Sequence, residues 1–373
     1  MNTQLKKLDL ELAALVENLD ILETIAPVNL KEEREAFFES HYSVSPSFVY
    51  RDTQFNSFNM KRALFNLPIE DLPDEDLHTL YRDVITSYVN KLDQVVAVGS
   101  QDFLYSSLSY FGEPTKKDLR NARFILHLPD SSDNDGKKHN AGEIAEVLAN
   151  FAEAEQLQHS IAFSDSMIAN ALVSGTTIKI NSAAQIPERE VQALAHHEIG
   201  VHLVTTLNAR EQDLKILSLG CPINTTTQEG LAILCEYLSG NLSLPRLKVL
   251  ALRVLAVQSM LNQGDFRETF LLLKEEFNTP DEQAFTITAR VFRGGGFTKD
   301  YLYLQGLHQM LNAYETCSDF ENLLSGKVAF EYLPVISRLI EKGYLIKPRY
   351  ISPAIRNPAK IEPVNAYIAH AIK

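Results

Sequence analysis

The chain opens on an apolar stripe at three-to-four spacing, Leu5, Leu8, Leu12, Leu15, Val16 and Leu19. This predicts a packed amphipathic helix that Pro27 ends. Similar patterns predict helices over roughly 72–92, opened by Pro73, and roughly 116–127, joined by connections rich in Tyr and Phe around Phe103 and Tyr110. The polar run DSSDNDGKKHN, 130–140, reads as a surface loop. It does not fit a calcium loop. With Gly136 in the sixth place, the first and twelfth places fall on Ser131 and Gly142, so the leading Asp and the bidentate Glu are both missing. A helix follows near 141–157. TTIKIN, Thr176 to Asn181, then alternates β-branched and polar residues like a short strand with one buried face. Pro187, Glu188 and Glu190 open a helix that should reach about Asn208. From about 228 to 325 the pattern is again mostly helical, broken by Gly240, Pro245, Pro280 and the triple glycine 294–296. Pro348, Pro353, Pro358 and Pro363 predict an extended strap over the body. No internal repeat is visible. The expected class is α+β, mainly helical with a small sheet. The expected organisation is an N-terminal helical part, 1–130, packed on a core, 141–347, with a Pro-rich extended tail, 348–373.

Composition narrows the function. With 373 residues, 45% of them hydrophobic, the chain can bury a large core. Its 35 Lys and Arg against 48 Asp and Glu give a net charge of −13, which argues against nucleic acid and anionic membrane surfaces as partners. Cys221, Cys235 and Cys317 form no CxxC pair and no disulfide framework. Acidic residues interrupt the first apolar pattern where a signal peptide needs an unbroken run, and no stretch reaches membrane-spanning length. The expected location is the cytoplasm.

The segment ALAHHEIGVH carries the chemistry. A metalloprotease HExxH places two His at i and i+4 on one helical face, with the intervening Glu as general base. In this chain His197 and His202 stand at i and i+5. On a regular helix that separates them by about 140°, too far for one tetrahedral ion. A π-bulge would absorb the extra residue, and Gly200, with its permissive backbone, lies inside the interval. The competing reading makes Glu198 and His202 a surface i,i+4 pair beside partly buried imidazoles. A third ligand is available in TTTQEGLAILCE. Leu231, Leu234, Cys235 and Leu238 mark the apolar face of a second helix, and Glu229 sits in its first turn off that stripe. A His2Glu zinc site takes a carboxylate from such a position. The competing role is a capping box, Thr226 to Glu229. Glu236, seven residues on, returns to the same face and is placed to orient a ligating His.

HEIGVH followed by TQEGLA closely resembles the QEGLA-motif proteins, the bacterial flavohaemoglobin expression-modulating proteins, and their eukaryotic relatives, the microtubule-associated tyrosine carboxypeptidases. The resemblance extends over YRDTQF, LFNLP, the segment 99–114 ending in YFGEP, and ARVFRGGGFTKDYLYLQGL at 289–307. It implies a zincin-like metallopeptidase core with one Zn2+ per chain on His197, His202 and Glu229, Glu198 as catalytic base, and a peptide or protein C-terminus as substrate. The acidic chain has no basic arm for an acidic tubulin tail, so tubulin is not expected as the partner.

A carboxypeptidase must hold a free α-carboxylate, for which the planar fork of Arg is suited. Arg290 and Arg293 flank the glycine run, whose N–H groups would extend an anion nest. Lys299, Tyr301 and Tyr303 follow as further candidate substrate contacts, one of them for the oxyanion. TTIKIN offers a strand edge for an extended peptide. The alternative function is a regulatory or binding protein that keeps a metal site without turnover. A ferritin-like di-iron centre is excluded, because its ExxH spacing does not fit Glu198 and His202.

Overall fold

The structure is a computed structural model that describes residues 3–17, 19, 21–52, 56–129, 137–165 and 167–373. Most of the expected polar loop, 130–136, and with it the rejected calcium-loop position, lies outside the described residues. The architecture is mainly helical with two small sheets, an α+β fold. The apolar stripe at the start forms helix Thr3–Val16, burying Leu5, Leu8, Leu12 and Val16. Asp9 is buried on the same face. It accepts hydrogen bonds from the Tyr81 hydroxyl at 2.7 Å and from the backbone N–H groups of Lys215 at 2.6 Å and Ile216 at 3.1 Å. This carboxylate joins the N-terminal helices to the second half of the chain. Helices Glu75–Ala97 and Lys116–His127 follow the predicted periodicity. Asp74 caps the first, and a Thr115–Asp118 capping box opens the second.

One hydrophobic core runs from Leu5 through helices Thr225–Leu238, Leu244–Gln263 and Leu302–Thr316 to Ile372. A second, smaller cluster lies between Ala141 and Leu207. It draws on helix Ala141–Ala154, on Val191 to Leu207 and on a region of five short strands: β1 (Lys138–Asn140), β2 (Ser160–Ser164), β3 (Ala171–Ser174), β4 (Thr177–Asn181) and β5 (Gln185–Pro187). β1 pairs with β5, and the other sheet has the order β2-β4-β3. The predicted TTIKIN strand is β4, with Ile178 and Ile180 buried. It is the middle strand, parallel to β2 and antiparallel to β3, so both its edges are already hydrogen-bonded. The expectation that it receives a peptide is thereby corrected, and the outer strands of this sheet are β2 and β3.

The tail also departs from expectation. It contains helices Pro353–Arg356 and Pro363–Ala371 in place of a wholly extended strap. Proline at the first helical position loses no intrahelical hydrogen bond, so the regular prolines open helices as readily as they prevent them. The tail is pinned at Asn208, whose amide donates to Tyr350 O and Leu324 O and accepts from the N–H groups of Arg349 and Tyr350. Among the described residues no helix is long and apolar enough to cross a membrane.

Candidate metal centre

The segment 188–211 is continuous but not uniform. α-Helix Glu188–Leu194 passes into a nine-residue π-helix, Ala195–Leu203, and returns to α-helix at Val204–Glu211. In π geometry the bonded turn spans five residues, so His197 and His202 stand one turn apart. Their ring centroids lie 5.1 Å from each other. Donor atoms of His197, Glu198 and His202 all fall within 4.8 Å of one another. The surface-pair reading fails, because His197 and Glu198 are buried. Gly200 lies inside the π segment, where the bulge was expected, and its missing side chain also makes room for the tail. A Cβ there would lie 3.0 Å from the Ser352 Oγ.

The third side chain comes from helix Thr225–Leu238, which starts after Asn224 without a side-chain capping bond. Freed from that role, Glu229 places Oε2 at 3.6 Å from His197 Nε2 and 3.8 Å from His202 Nε2. Ligands about 2.0–2.1 Å from a tetrahedral zinc are about 3.3 Å apart, so the two Glu229 contacts need only a small contraction to fit, and donor atoms of the two imidazoles lie within 4.8 Å of each other. Glu229 Oε1 receives the Lys299 ammonium at 2.6 Å. The following residue, Gly230, presses against helix Leu302–Thr316: a Cβ would stand 2.4 Å from the Gly306 carbonyl oxygen.

A second layer orients these groups. His197 Nδ1 donates to Glu236 Oε1 at 2.8 Å, a tautomer that leaves the Nε2 lone pair facing Glu229. Arg246 holds Glu236 in a two-toothed contact, 3.1 Å from Nε and 3.0 Å from Nη2. Glu198 Oε2 accepts the N–H of Val173 in β3 at 2.9 Å. Burial raises the Glu198 pKa to about 7, the region suited to a general base. Burial opposes charge on His197, yet Glu229 and Glu236 outweigh it and raise its pKa to about 10. His202, partly buried and near the cations His197 and Lys299, is pushed down to about 3, burial being the larger cause. Lys299 and both imidazoles hold Glu229 well below the usual carboxylate range despite its burial. Metal ligation requires neutral imidazole, so cation binding would displace any proton His197 carries.

The expected substrate contacts separate into groups. Arg290 spends its fork on Asp300, at 2.5 Å from Nε and 3.1 Å from Nη2, and is not free to take a substrate carboxylate. Tyr301 donates to the Phe111 carbonyl at 2.6 Å, which commits its hydroxyl to the N-terminal helices. Tyr303 and Lys299 do approach the centre, with the Tyr303 hydroxyl 3.3 Å from Lys299 Nζ. Arg293 lies with its guanidinium 4.9 Å from the Phe297 ring centroid. The glycine run is a packing device and not an anion nest. A Cβ on Gly294, Gly295 or Gly296 would meet Phe103, the Ser100 carbonyl or Leu104 at 2.6, 2.6 and 2.9 Å, and all three have positive φ. The Gly294 N–H is already given to the Tyr50 hydroxyl.

Sequence reasoning missed Arg246 and Arg253, seven residues apart on helix Leu244–Gln263. Two guanidiniums seven residues apart on a mostly apolar helix were the available signal. Arg253 stacks over Tyr303, 5.2 Å from its ring centroid.

Comparison with known proteins supports the family resemblance. A family model described as microtubule-associated tyrosine carboxypeptidase matches residues 35–373. Microtubule-associated tyrosine carboxypeptidase 1 from Rattus norvegicus is 24% identical over 341 residues, covering 88% of this chain and 64% of that protein. The protein of the same name from Mus musculus is 25% identical over 324 residues, 83% of this chain and 61% of the relative. The chain therefore spans about three-fifths of the length of these relatives. A solved structure, described as a lipoprotein of unknown function from Shewanella oneidensis, aligns over 91% of this chain and 82% of that one, at 12% identity and a TM-score of 0.39. That likeness is too loose to carry an argument. The match over 35–373 is not, and the chain belongs to the microtubule-associated tyrosine carboxypeptidase family.

Proposed function

We propose that the protein is a zinc-dependent carboxypeptidase that releases a C-terminal residue from a peptide or protein. The observation that carries this reading is the approach of His197, His202 and Glu229 to one point, with the Glu198 carboxyl beside it. In this reading the three hold one Zn2+ per chain and Glu236 sets the orientation of His197. Bound zinc supplies a Lewis acid that acidifies water and polarises a carbonyl. Glu198 takes the proton from the attacking water and passes it to the leaving amine, a role suited to a buried carboxyl with a raised pKa. The Val173 N–H fixes the Glu198 oxygen that faces away from His197. Tyr303, beside Lys299, is better placed than Tyr301 to steady the oxyanion, since the Tyr301 hydroxyl is already engaged.

Membership of a carboxypeptidase family supports peptide C-termini as the substrate class. The relatives carry microtubules and tyrosine in their names. The net charge of −13 was the ground for setting tubulin aside, and family membership gives that exclusion no support. A tubulin-tail peptide therefore belongs in the substrate panel, beside neutral peptides ending in aromatic, aliphatic and charged residues. The test is metal analysis of the purified protein followed by digestion of that panel, read by mass spectrometry. Close to one zinc per chain and loss of single C-terminal residues are expected. Stoichiometric metal with no cleavage of any peptide would favour a binding protein that keeps the site without turnover.

A further inference from the structure

Among the described residues two segments are π-helical. One is Ala195–Leu203, and the other is Leu272–Glu276, which continues helix Phe266–Leu271. π turns recur at functional sites. The second one lines a cleft of about 240 Å³ through Leu272 and Glu276, with Phe277 directly after it. Arg123 of helix Lys116–His127 also lines the cleft, as do Leu255, Gln258 and Asn262 on the C-terminal half of helix Leu244–Gln263. The cleft is remote from the metal centre: from Arg246, which braces Glu236 behind His197, that helix rises about 18 Å to reach Gln258. Arg123 and Glu276 are its two charged residues, and both are exposed. Among the described residues neither side chain has a hydrogen bond or an ion pair, with the other or with any third group. The charges around them behave differently. Arg267 pairs with Glu268, and Lys274, inside the same π turn, pairs with Asp281.

We propose that this cleft is a second binding site, for a free α-amino acid with an apolar side chain. Two opposite charges that line one cleft without meeting are complementary to a zwitterion. The Arg123 fork suits the α-carboxylate, and Glu276 suits the ammonium, whose three donors need acceptors. Gln258 supplies another acceptor: its Nε2 donates to Asn262 Oδ1 at 2.8 Å, which leaves its own carbonyl oxygen uncommitted. Leu255, Leu272 and Phe277 give the ligand side chain an apolar surface. A simple anion or cation would answer only one of the two charges, and a neutral apolar molecule neither. Pockets for drug-sized ligands start at about 300 Å³, so the cleft suits a single residue better than a longer peptide. The π turn explains why the charge is available. With about five residues per turn, Leu272 and Glu276 stand nearly one turn apart and line the same cleft, while Lys274 between them is held by Asp281. The site uses no residue of the metal centre and does not depend on the carboxypeptidase reading.

L-Leucine, leucinamide, N-acetylleucine and glycine separate the contacts, with binding read by calorimetry and by the rise in melting temperature. Leucine should bind the wild type, and loss of its carboxylate in leucinamide or of its ammonium in N-acetylleucine should each weaken binding about tenfold or more. Glycine, which keeps both charges and lacks the side chain, should bind about tenfold more weakly than leucine. Arg123→Gln should weaken leucine as much as amidation does and add little to the loss for leucinamide, because both changes remove one contact. Glu276→Gln should stand in the same relation to N-acetylleucine. Both side chains are exposed, so the unliganded variants should melt close to the wild type. The His197→Ala, His202→Ala double variant should bind leucine as the wild type does. Absence of leucine binding, equal binding of all four compounds, or full affinity in either Gln variant would overturn the site. Binding lost in the histidine double variant and kept in the Gln variants would put leucine at the metal centre and overturn it too. The expected losses in a protein that cleaves no peptide would uphold the cleft and remove the peptidase reading.

Discussion

The segment 188–211 brings His197 and His202 together by departing from α geometry, whereas helix Thr225–Leu238 delivers Glu229 by staying regular and pressing Gly230 against Gly306. The first mostly lines the small cluster with the sheet, and the second is part of the large core. The centre lies on the seam between them. A local backbone adjustment corrects the spacing of the histidines, while the distance between the two helices is set by contact of backbone on backbone. Motif residues in the first region should thus act through chemistry, and the motif glycine in the second through geometry.

The strongest way to break this comparison is to remove the histidines. His197→Ala with His202→Ala should reduce bound zinc from near one per chain to less than a tenth of an equivalent, read by elemental analysis of protein prepared without chelator. Full occupancy in the double variant would place the metal elsewhere. Next in size is Glu198→Gln. The amide is nearly isosteric and cannot accept a proton, so zinc should remain while hydrolysis of an identified substrate falls about a hundredfold or more. Cleavage at the wild-type rate would remove Glu198 from the mechanism.

Gly230→Ala tests the other helix. The added methyl would be 2.4 Å from the Gly306 oxygen and 2.5 Å from its carbon, positions that cannot be vacated by turning a side chain. The helices must separate, at a cost of about 3 kcal/mol, the upper end of ordinary overpacking, measured by urea unfolding. Glu229 would move with its neighbour, so zinc affinity should fall in the same variant. A stable variant that keeps its affinity would show that the glycine contact does not set the ligand distance.

What the sequence could show follows the same division. His197, Glu198, His202 and Glu229 were legible because donor chemistry and spacing constrain each other along a single helix or between two. The helices of 75–97 and 116–127 were legible because their apolar periodicity is long and their caps are strong. Contacts between distant segments were not legible. Nothing local in ARVFRGGGF shows that Asp300 fills the Arg290 fork or that Phe103 and Leu104 occupy the space beside the glycines. Arg253 went unnoticed because a cation on a mostly apolar helix acquires meaning only from the side chains that the fold brings beside it. β4 reads as a strand from its alternation, but its central place depends on β2 and β3, which are less regular in sequence.

A smaller effect is expected behind the histidines. Glu236→Gln keeps the shape but loses the charge that holds His197 Nδ1 and the Arg246 fork. Zinc affinity should fall about tenfold, the low end for loss of a partner behind a ligating histidine. An unchanged affinity would mean that packing alone orients the ring.

The smallest effect sharpens the comparison most. Gly200→Ala places a methyl 3.0 Å from the Ser352 Oγ, the tip of a side chain, with the next atom no nearer than 4.0 Å. Gly200 also lacks the left-handed φ that would penalise alanine. Alanine gains up to about 1 kcal/mol of helix propensity over glycine, which offsets a clash of similar size. The net change in unfolding free energy should therefore stay within about 1 kcal/mol, with zinc retained. Adding Ser352→Ala should relieve the contact and return the double variant to wild-type stability or above, a coupling between side chains that touch. The opposite result is informative. If Gly200→Ala costs as much as Gly230→Ala, or loses zinc without rescue by Ser352→Ala, then the π segment depends on the backbone freedom of glycine, and the histidine helix is held by the same kind of constraint as the glutamate helix.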